Sequence, residues 1–145
     1  MLKILLPIFV IGLFLINTKN TYAQENHRAL NLFAKFGEET RINAHYEIPL
    51  TRSITISPSV AFPVDFESVE IGGRIDLYFD RLFRLSSRWD LWAGIDTGVI
   101  INAEDDFNLN AHAGLEFKLT KALGIIGEIG GGTASFGGIG LGIHF

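Results

Sequence analysis

The chain has 145 residues, enough for one domain, and it contains no cysteine. The missing thiols exclude disulfides, thiolate metal sites, cysteine nucleophiles and a lipid anchor on an amino-terminal cysteine. The formal net charge is −4 and no basic stripe is present, which argues against nucleic acid as a partner.

The first element is an apolar stretch that is too short to cross a membrane as a helix. Lys3 precedes a run of 13 mostly apolar residues, Ile4 to Ile16, and a polar segment then ends at Ala23. A membrane-spanning helix needs about 20 residues, whereas a basic start, a short apolar centre and a small final residue are typical of a secretory signal peptide. We therefore predict a signal peptide over residues 1–23 and one exported domain over 24–145. An uncleaved anchor is the alternative.

The rest of the chain alternates apolar and polar residues with a period of two, which is typical of strands with two different faces. The predicted strands cover 28–36, 41–50, 52–62, 68–79, 89–101, 109–119, 122–132 and 136–145. Short connections that contain turn-forming residues separate them. This spacing favours an up-and-down meander of hairpins.

Charged side chains follow the alternation. Of twelve charged residues at assignable strand positions, eleven lie on the polar face: Lys35, Arg41, Glu47, Glu70, Arg74, Asp76, Asp90, Asp96, Glu116, Lys118 and Glu128. His45, His112 and His144 share that face. A one-residue slip would exchange the two faces of a strand, so the pattern fixes the register.

The alternation does not decide which face is enclosed, because soluble lipocalin-like barrels enclose the apolar face and outer-membrane barrels enclose the polar one. Gly138, Gly140 and Gly142 favour an enclosed polar face. In a narrow interior their small size leaves space for larger side chains from other strands, whereas in a solvated strand glycine only lowers stability through its conformational entropy. Aromatic residues of the apolar face gather near strand ends, as in the girdles at membrane interfaces. They are Phe36, Phe62, Phe79, Trp89, Phe117 and Phe145. We predict an all-β fold, a closed eight-stranded antiparallel up-and-down transmembrane β-barrel. An exported soluble barrel that binds a hydrophobic ligand is the alternative.

The last strand carries a resemblance to a known family. The segment 140–145 ends on an aromatic residue, and alternating apolar positions precede it: Ile139, Leu141, Ile143 and Phe145. In this the chain resembles the small eight-stranded outer-membrane β-barrels of the OmpX, opacity-protein and OmpA membrane-domain type. The resemblance implies a place in a Gram-negative outer membrane, contact with its lipid and lipopolysaccharide, and recognition of the last strand by the barrel-assembly machinery.

With both termini in the periplasm, as this resemblance implies, the longest inner turn would be 80–88. It carries Arg81, Arg84 and Arg88. A solvated turn is the expectation, and contact with lipid headgroups is the alternative.

Eight strands enclose a space just wide enough for side chains, so enclosed charges must be paired or hydrogen-bonded. We therefore predict a largely plugged lumen with a structural polar network: His45, Glu47, Glu70, Arg74, Asp76, Asp96, His112, Glu116, Lys118 and Glu128. The predicted role is structural or one of surface maintenance. A narrow porin-like path for protons or small ions is the first alternative.

No cofactor, metal site or catalytic residue is predicted. The histidines of the polar face lie on separate strands, and the acidic segment 104–106 lacks the spacing of a calcium loop. An enzyme that modifies lipid A would need a nucleophilic serine near a histidine. The one conceivable pairing joins His45 to a serine of the third strand, so an enzyme is the least supported alternative.

Overall fold

The computed structural model describes residues 28–101 and 107–145, so the predicted signal peptide and the acidic segment 104–106 lie outside the described residues. The described residues form nine strands: β1 (Ala29–Gly37), β2 (Arg41–Tyr46), β3 (Ile48–Pro49), β4 (Ile54–Pro63), β5 (Val69–Tyr78), β6 (Trp89–Ile101), β7 (Phe107–Lys118), β8 (Leu123–Gly132) and β9 (Phe136–His144). In this part of the chain no helix is long and apolar enough to span a membrane.

The sheet closes on itself as an antiparallel barrel. Successive strands are paired, and β9 returns to β1 over its whole length, from Ala29 opposite His144 to Gly37 opposite Phe136. Strands β2 and β3 share one register along β4, so together they act as one strand, and the barrel has the eight strands that the sequence predicted. Pro58 of β4 faces the break between them. Proline has no N–H to donate to the ladder, which accounts for the interruption.

Strand limits agree with the sequence prediction within two residues. Two strands differ by two residues at their start: β7 begins at Phe107 instead of residue 109, and β4 begins at Ile54 instead of residue 52. The hydroxyl of Thr51 accepts hydrogen bonds from the backbone N–H groups of Ser53 and Ile54, at 3.2 and 3.1 Å. A threonine that caps its own turn in this way delays the start of the strand.

The apolar face of the barrel is outside and the polar face is inside. Ile75 is 50% exposed, while its neighbour Arg74 is 4% exposed. Every strand contributes to the apolar exterior, which needs lipid as its solvent, as in a transmembrane barrel. An apolar lumen, as in the soluble-barrel alternative, is therefore not what these strands form.

Large side chains are buried inside the barrel. Phe33, Tyr78, Trp92 and Ile126 form a buried cluster in the lumen. The glycines of β9 make room for it, because a Cβ at Gly140 would lie against the ring of Phe33. Glycines on β9 thus leave space inside the barrel for the large side chain of Phe33.

The two ends of the barrel differ in what they carry. The end with Ala29 and His144, together with the turns 50–53, 79–88 and 119–122, is called here the terminal end, and the opposite end the loop end. Aromatic pairs ring the terminal end: Tyr46 with Phe145, Phe79 with Phe83, and Trp89 with Phe117. Phe62 and Phe66 form such a pair at the loop end, with ring centroids 6.1 Å apart.

Candidate functional site in the barrel lumen

A buried arginine organises the centre of the lumen. Arg74 Nε and Nη2 donate to the two carboxylate oxygens of Asp76 at 2.9 and 3.0 Å. Its Nη1 and Nη2 also donate to the Glu128 carboxylate at 3.3 and 2.7 Å. A guanidinium has five donors in a planar fork, so it can give each of two carboxylates a pair of hydrogen bonds, whereas a lysine ammonium is a point charge without this bidentate geometry. We call Arg74, Asp76, Asp96, His112 and Glu128 the central cluster.

His112 lies between two acids of this cluster. Its Nε2 is 2.5 Å from Asp76 Oδ1, and its Nδ1 is 2.9 Å from Asp96 Oδ2. Asn110 donates a further hydrogen bond to Asp96 at 3.2 Å. The ring is thus held in one orientation by carboxylates on both sides.

Two further contacts tie the cluster to its surroundings. Lys35 Nζ lies 3.5 Å from Glu128 Oε1 and sits over the ring of Phe136. Trp92 Nε1 donates to Glu128 at 3.4 Å. The carboxylates of Asp76, Asp96 and Glu128 therefore contact the cations Arg74 and Lys35 or the ring of His112. Each buried negative charge thus has a cation or a hydrogen-bonding ring beside it.

A second group of polar side chains lies closer to the terminal end. Asn31 Nδ2 donates to Glu47 at 2.7 Å, and the Tyr78 hydroxyl donates to the same carboxylate at 2.8 Å. The two ring nitrogens of His45 contact Asn31 Nδ2 at 3.0 Å and Asn43 Oδ1 at 3.3 Å. The His45 ring also stacks on Phe33 with centroids 5.4 Å apart.

The hydrogen bonds of His45 bear on the enzyme alternative. His45 lies opposite Ser59 in the ladder, so the sequence argument correctly brought a third-strand serine near it. Its ring nitrogens are nevertheless engaged by two asparagine side chains. A general base must reach the proton of its nucleophile, and this ring contacts amides instead.

Ion pairs also lie at both ends of the lumen. At the terminal end, Glu116 contacts His144 at 2.6 Å and Asp90 contacts Lys118 at 2.8 Å. At the loop end, Arg41 bridges Glu39 and Glu70, at 2.8 Å each. Arg41, Glu39, Glu70 and Lys118 are more accessible to water than any member of the central cluster.

A polar cavity of about 190 Å³ lies at the loop end. Its lining includes Lys35, Arg41, Glu70, Arg74, Asp96 and Asn110. Arg74 and Asp96 of the central cluster belong to this lining, and Phe33, Tyr78, Trp92 and Ile126, which form the buried apolar cluster, do not. The described residues hold no group of three or more histidine, aspartate or glutamate side chains arranged to bind a metal ion.

All ten residues predicted for the polar network point into the barrel. Eight of them join the central cluster, the Glu47 group or the Glu116–His144 pair: His45, Glu47, Arg74, Asp76, Asp96, His112, Glu116 and Glu128. Glu70 and Lys118 instead pair near the two openings, where their side chains are 16% and 24% exposed.

The chain matches no protein-family model and no curated protein. Solved structures do match it. The amino-terminal β-barrel domain of Pseudomonas aeruginosa OprF is 16% identical, with a TM-score of 0.58 over 81% of this chain and 96% of that one.

Two further structures have the same architecture. The Yersinia pestis outer membrane protein Ail, in a phospholipid bilayer nanodisc, is 12% identical, with a TM-score of 0.53 over 81% of this chain and 97% of that one. A designed transmembrane β-barrel is 12% identical, with a TM-score of 0.62 over 83% of this chain and 98% of that one. The chain has the fold of a small outer-membrane β-barrel.

Sequence analysis missed several lumen residues of this outer-membrane barrel. Asn31, Tyr78 and Trp92 donate hydrogen bonds to buried acids, and Phe33 packs among them. Each has the parity of the polar face, which is the signal that could have found it. The predicted network contains only charged residues and histidines, whereas aromatic and amide side chains also contact its members.

Proposed function

We propose that the chain is an integral protein of a Gram-negative outer membrane, with a closed lumen and a structural or surface-maintenance role. The observation that carries the proposal is the set of large and charged side chains buried inside the barrel. Arg74 and Asp96 of the central cluster line the loop-end cavity, and Phe33, Tyr78, Trp92 and Ile126 are buried together. An open channel would need a continuous space past both groups.

Electrostatics supports the same proposal. A hydrated ion that passes the centre would have to separate Arg74 from Asp76 and Glu128, whose side chains are almost fully buried. Removing one partner from a buried pair leaves an uncompensated charge, which costs about 3–5 kcal/mol.

Planar-bilayer conductance tests the closed lumen. The purified protein should give no stable current steps. A variant with Phe33→Ala, Tyr78→Ala and Trp92→Ala removes the aromatic side chains of that buried cluster, and small steps are expected from it if it folds. Steady current from the unmodified protein would favour the alternative, a narrow path for protons or small ions, and would overturn a closed lumen.

The membrane location is tested separately by fractionation. The protein should pellet with outer membranes, and its gel mobility should change on heating because a closed barrel migrates as a compact species. A mature chain that stays in the periplasmic supernatant without detergent would contradict the location. The apolar exterior supports the membrane over that outcome, because Leu, Ile and Val side chains ring the barrel.

The last strand supports a role for the barrel-assembly machinery as a partner. Ile139, Leu141 and Phe145 face outward and are exposed, and Ile143 continues the same row. In the closed barrel β9 is paired on both edges, with β1 and β8. Recognition of its backbone edge would therefore precede closure. Lipid and lipopolysaccharide would contact the exterior, and we propose no catalytic activity and no cofactor.

A further inference from the structure

The longest turn at the terminal end combines cations with exposed apolar side chains. This segment, residues 79–88, joins β5 to β6 and is called here the arginine turn. Arg81, Arg84 and Arg88 are exposed, and Leu82 and Phe83 are 72% and 59% exposed between them. A turn that faced only water would gain nothing from large apolar side chains at such exposure.

The arginine turn is ordered by its own hydrogen bonds. Phe83 N donates to Phe79 O at 3.0 Å, and Leu85 N donates to Asp80 O at 2.8 Å. Arg84 has a positive φ of 52°, a conformation that reverses the chain direction. These contacts order the backbone that carries Arg81 and Arg84.

One ring contact places the turn beside the lipid-facing surface. Phe79 continues the outward row of β5, and the Phe83 ring packs on it with centroids 6.2 Å apart. Trp89, at the other end of the turn, packs outside the barrel on Phe117 at 4.7 Å. Aromatic side chains of this kind lie at the level of the lipid headgroups in membrane proteins.

The charge at the terminal end favours an anionic neighbour. Within the described residues, Arg81, Arg84 and Arg88 form no ion pair with any acid. Further exposed cations, Arg52 and Lys121, lie in the other turns of this end. The loop end has the opposite character, with exposed acids in its turns: Glu38, Glu39, Asp65 and Glu67.

We propose that the arginine turn lies in the headgroup layer of the adjoining leaflet and binds the phosphate groups of anionic phospholipid. Leu82, Phe83 and Leu85 would then lie at the boundary of the acyl chains. The guanidinium fork of each arginine matches phosphate oxygens in geometry and charge. This assignment rests on the membrane location proposed above, and it replaces the sequence expectation of a solvated turn.

Lipid selectivity tests the assignment. The protein is reconstituted in bilayers of equal parts phosphatidylcholine and phosphatidylglycerol, and the association of spin-labelled forms of each lipid is compared by electron paramagnetic resonance. The unmodified protein should prefer phosphatidylglycerol. The triple variant Arg81→Gln, Arg84→Gln and Arg88→Gln should lose most of that preference, by about fivefold for each arginine that contacts a headgroup.

The variant Arg52→Gln with Lys121→Gln is the matched control, because it removes cations from the same end but not from the turn. It should keep the preference. Heat-modifiable gel mobility in each sample verifies that the barrel has folded into the bilayer.

Three results would overturn the assignment: no preference in the unmodified protein, a preference that survives the triple variant, or an equal loss in the control. In each case the barrel is folded in the bilayer, so the membrane location stands. A protein that does not enter bilayers at all would instead refute the proposed function.

Discussion

Replacing Arg74 by methionine tests whether the central cluster stabilises the barrel. The substitution keeps an unbranched side chain and removes the only cation that holds both Asp76 and Glu128 with direct hydrogen bonds at 3.3 Å or less. Asp76 keeps its contact with His112, but Glu128 keeps only Lys35 at 3.5 Å and Trp92 at 3.4 Å. An uncompensated buried charge of this kind costs about 3–5 kcal/mol.

The matched control is Arg41→Met. Arg41 also bridges two acids at 2.8 Å, but its side chain is 25% exposed, against 2% for Arg74. Exposed pairs contribute about 0–1 kcal/mol, so this variant should change the free energy of unfolding much less. The comparison separates burial from the number of ion pairs.

The assay is urea-induced unfolding of the barrel in phospholipid vesicles, followed by tryptophan fluorescence and extrapolated linearly to zero urea. The double variant Arg74→Met with Glu128→Gln should be less destabilised than Arg74→Met alone, because the amide carries no charge. The reasoning is refuted if Arg74→Met costs no more than Arg41→Met, or if neutralising Glu128 makes the loss larger.

Three other predictions concern the walls and the last strand. Gly94→Ala should destabilise the barrel by about 1–3 kcal/mol through overpacking, because the added Cβ would lie against the Asp76 carboxylate and the backbone of the neighbouring strand β5. The same urea assay measures this loss, and an unchanged midpoint would contradict it. Ile75→Arg, near the middle of its strand, should lower the free energy of unfolding by about 2–4 kcal/mol, and Ile101→Arg, at the end of its strand, by about 0–1 kcal/mol. Equal losses from the two variants would argue against lipid around the barrel. Deletion of Phe145, which is exposed, should lower the amount of protein in outer membranes of cells while the purified chain still folds into vesicles; normal assembly would exclude it as a recognition signal.

The strands and their faces could be read from the sequence because they depend on local alternation. In a strand, successive side chains point to opposite faces, so eleven of twelve charges on one parity identify one surface. The alternation put Arg74 and Glu116 on one face and Ile75 and Leu141 on the other. The glycines of the last strand and the aromatic residues near strand ends then favoured an enclosed polar face, as the structure has it. The glycines of β9 had indicated a crowded wall, and the Phe33 ring occupies the space that they leave.

The partners in the lumen could not be read in this way. Arg74 and Glu128 are 54 residues apart on β5 and β8, which are not neighbours in the sheet. Their contact crosses the interior, so it depends on barrel diameter and strand stagger, which alternation along one strand does not encode. Tyr78 and Trp92 were missed for a related reason, since their importance lies in the space they fill between walls.

The sequence by itself determined where the strands run, in what order, and which side chains share a surface, because a period of two is set by backbone geometry residue by residue. Only the tertiary structure decided which acid meets which base across the lumen. Contacts such as that of Arg74 with Glu128 join strands that are not neighbours in the sheet, and they exist only once the sheet has curved round and brought its walls within side-chain reach.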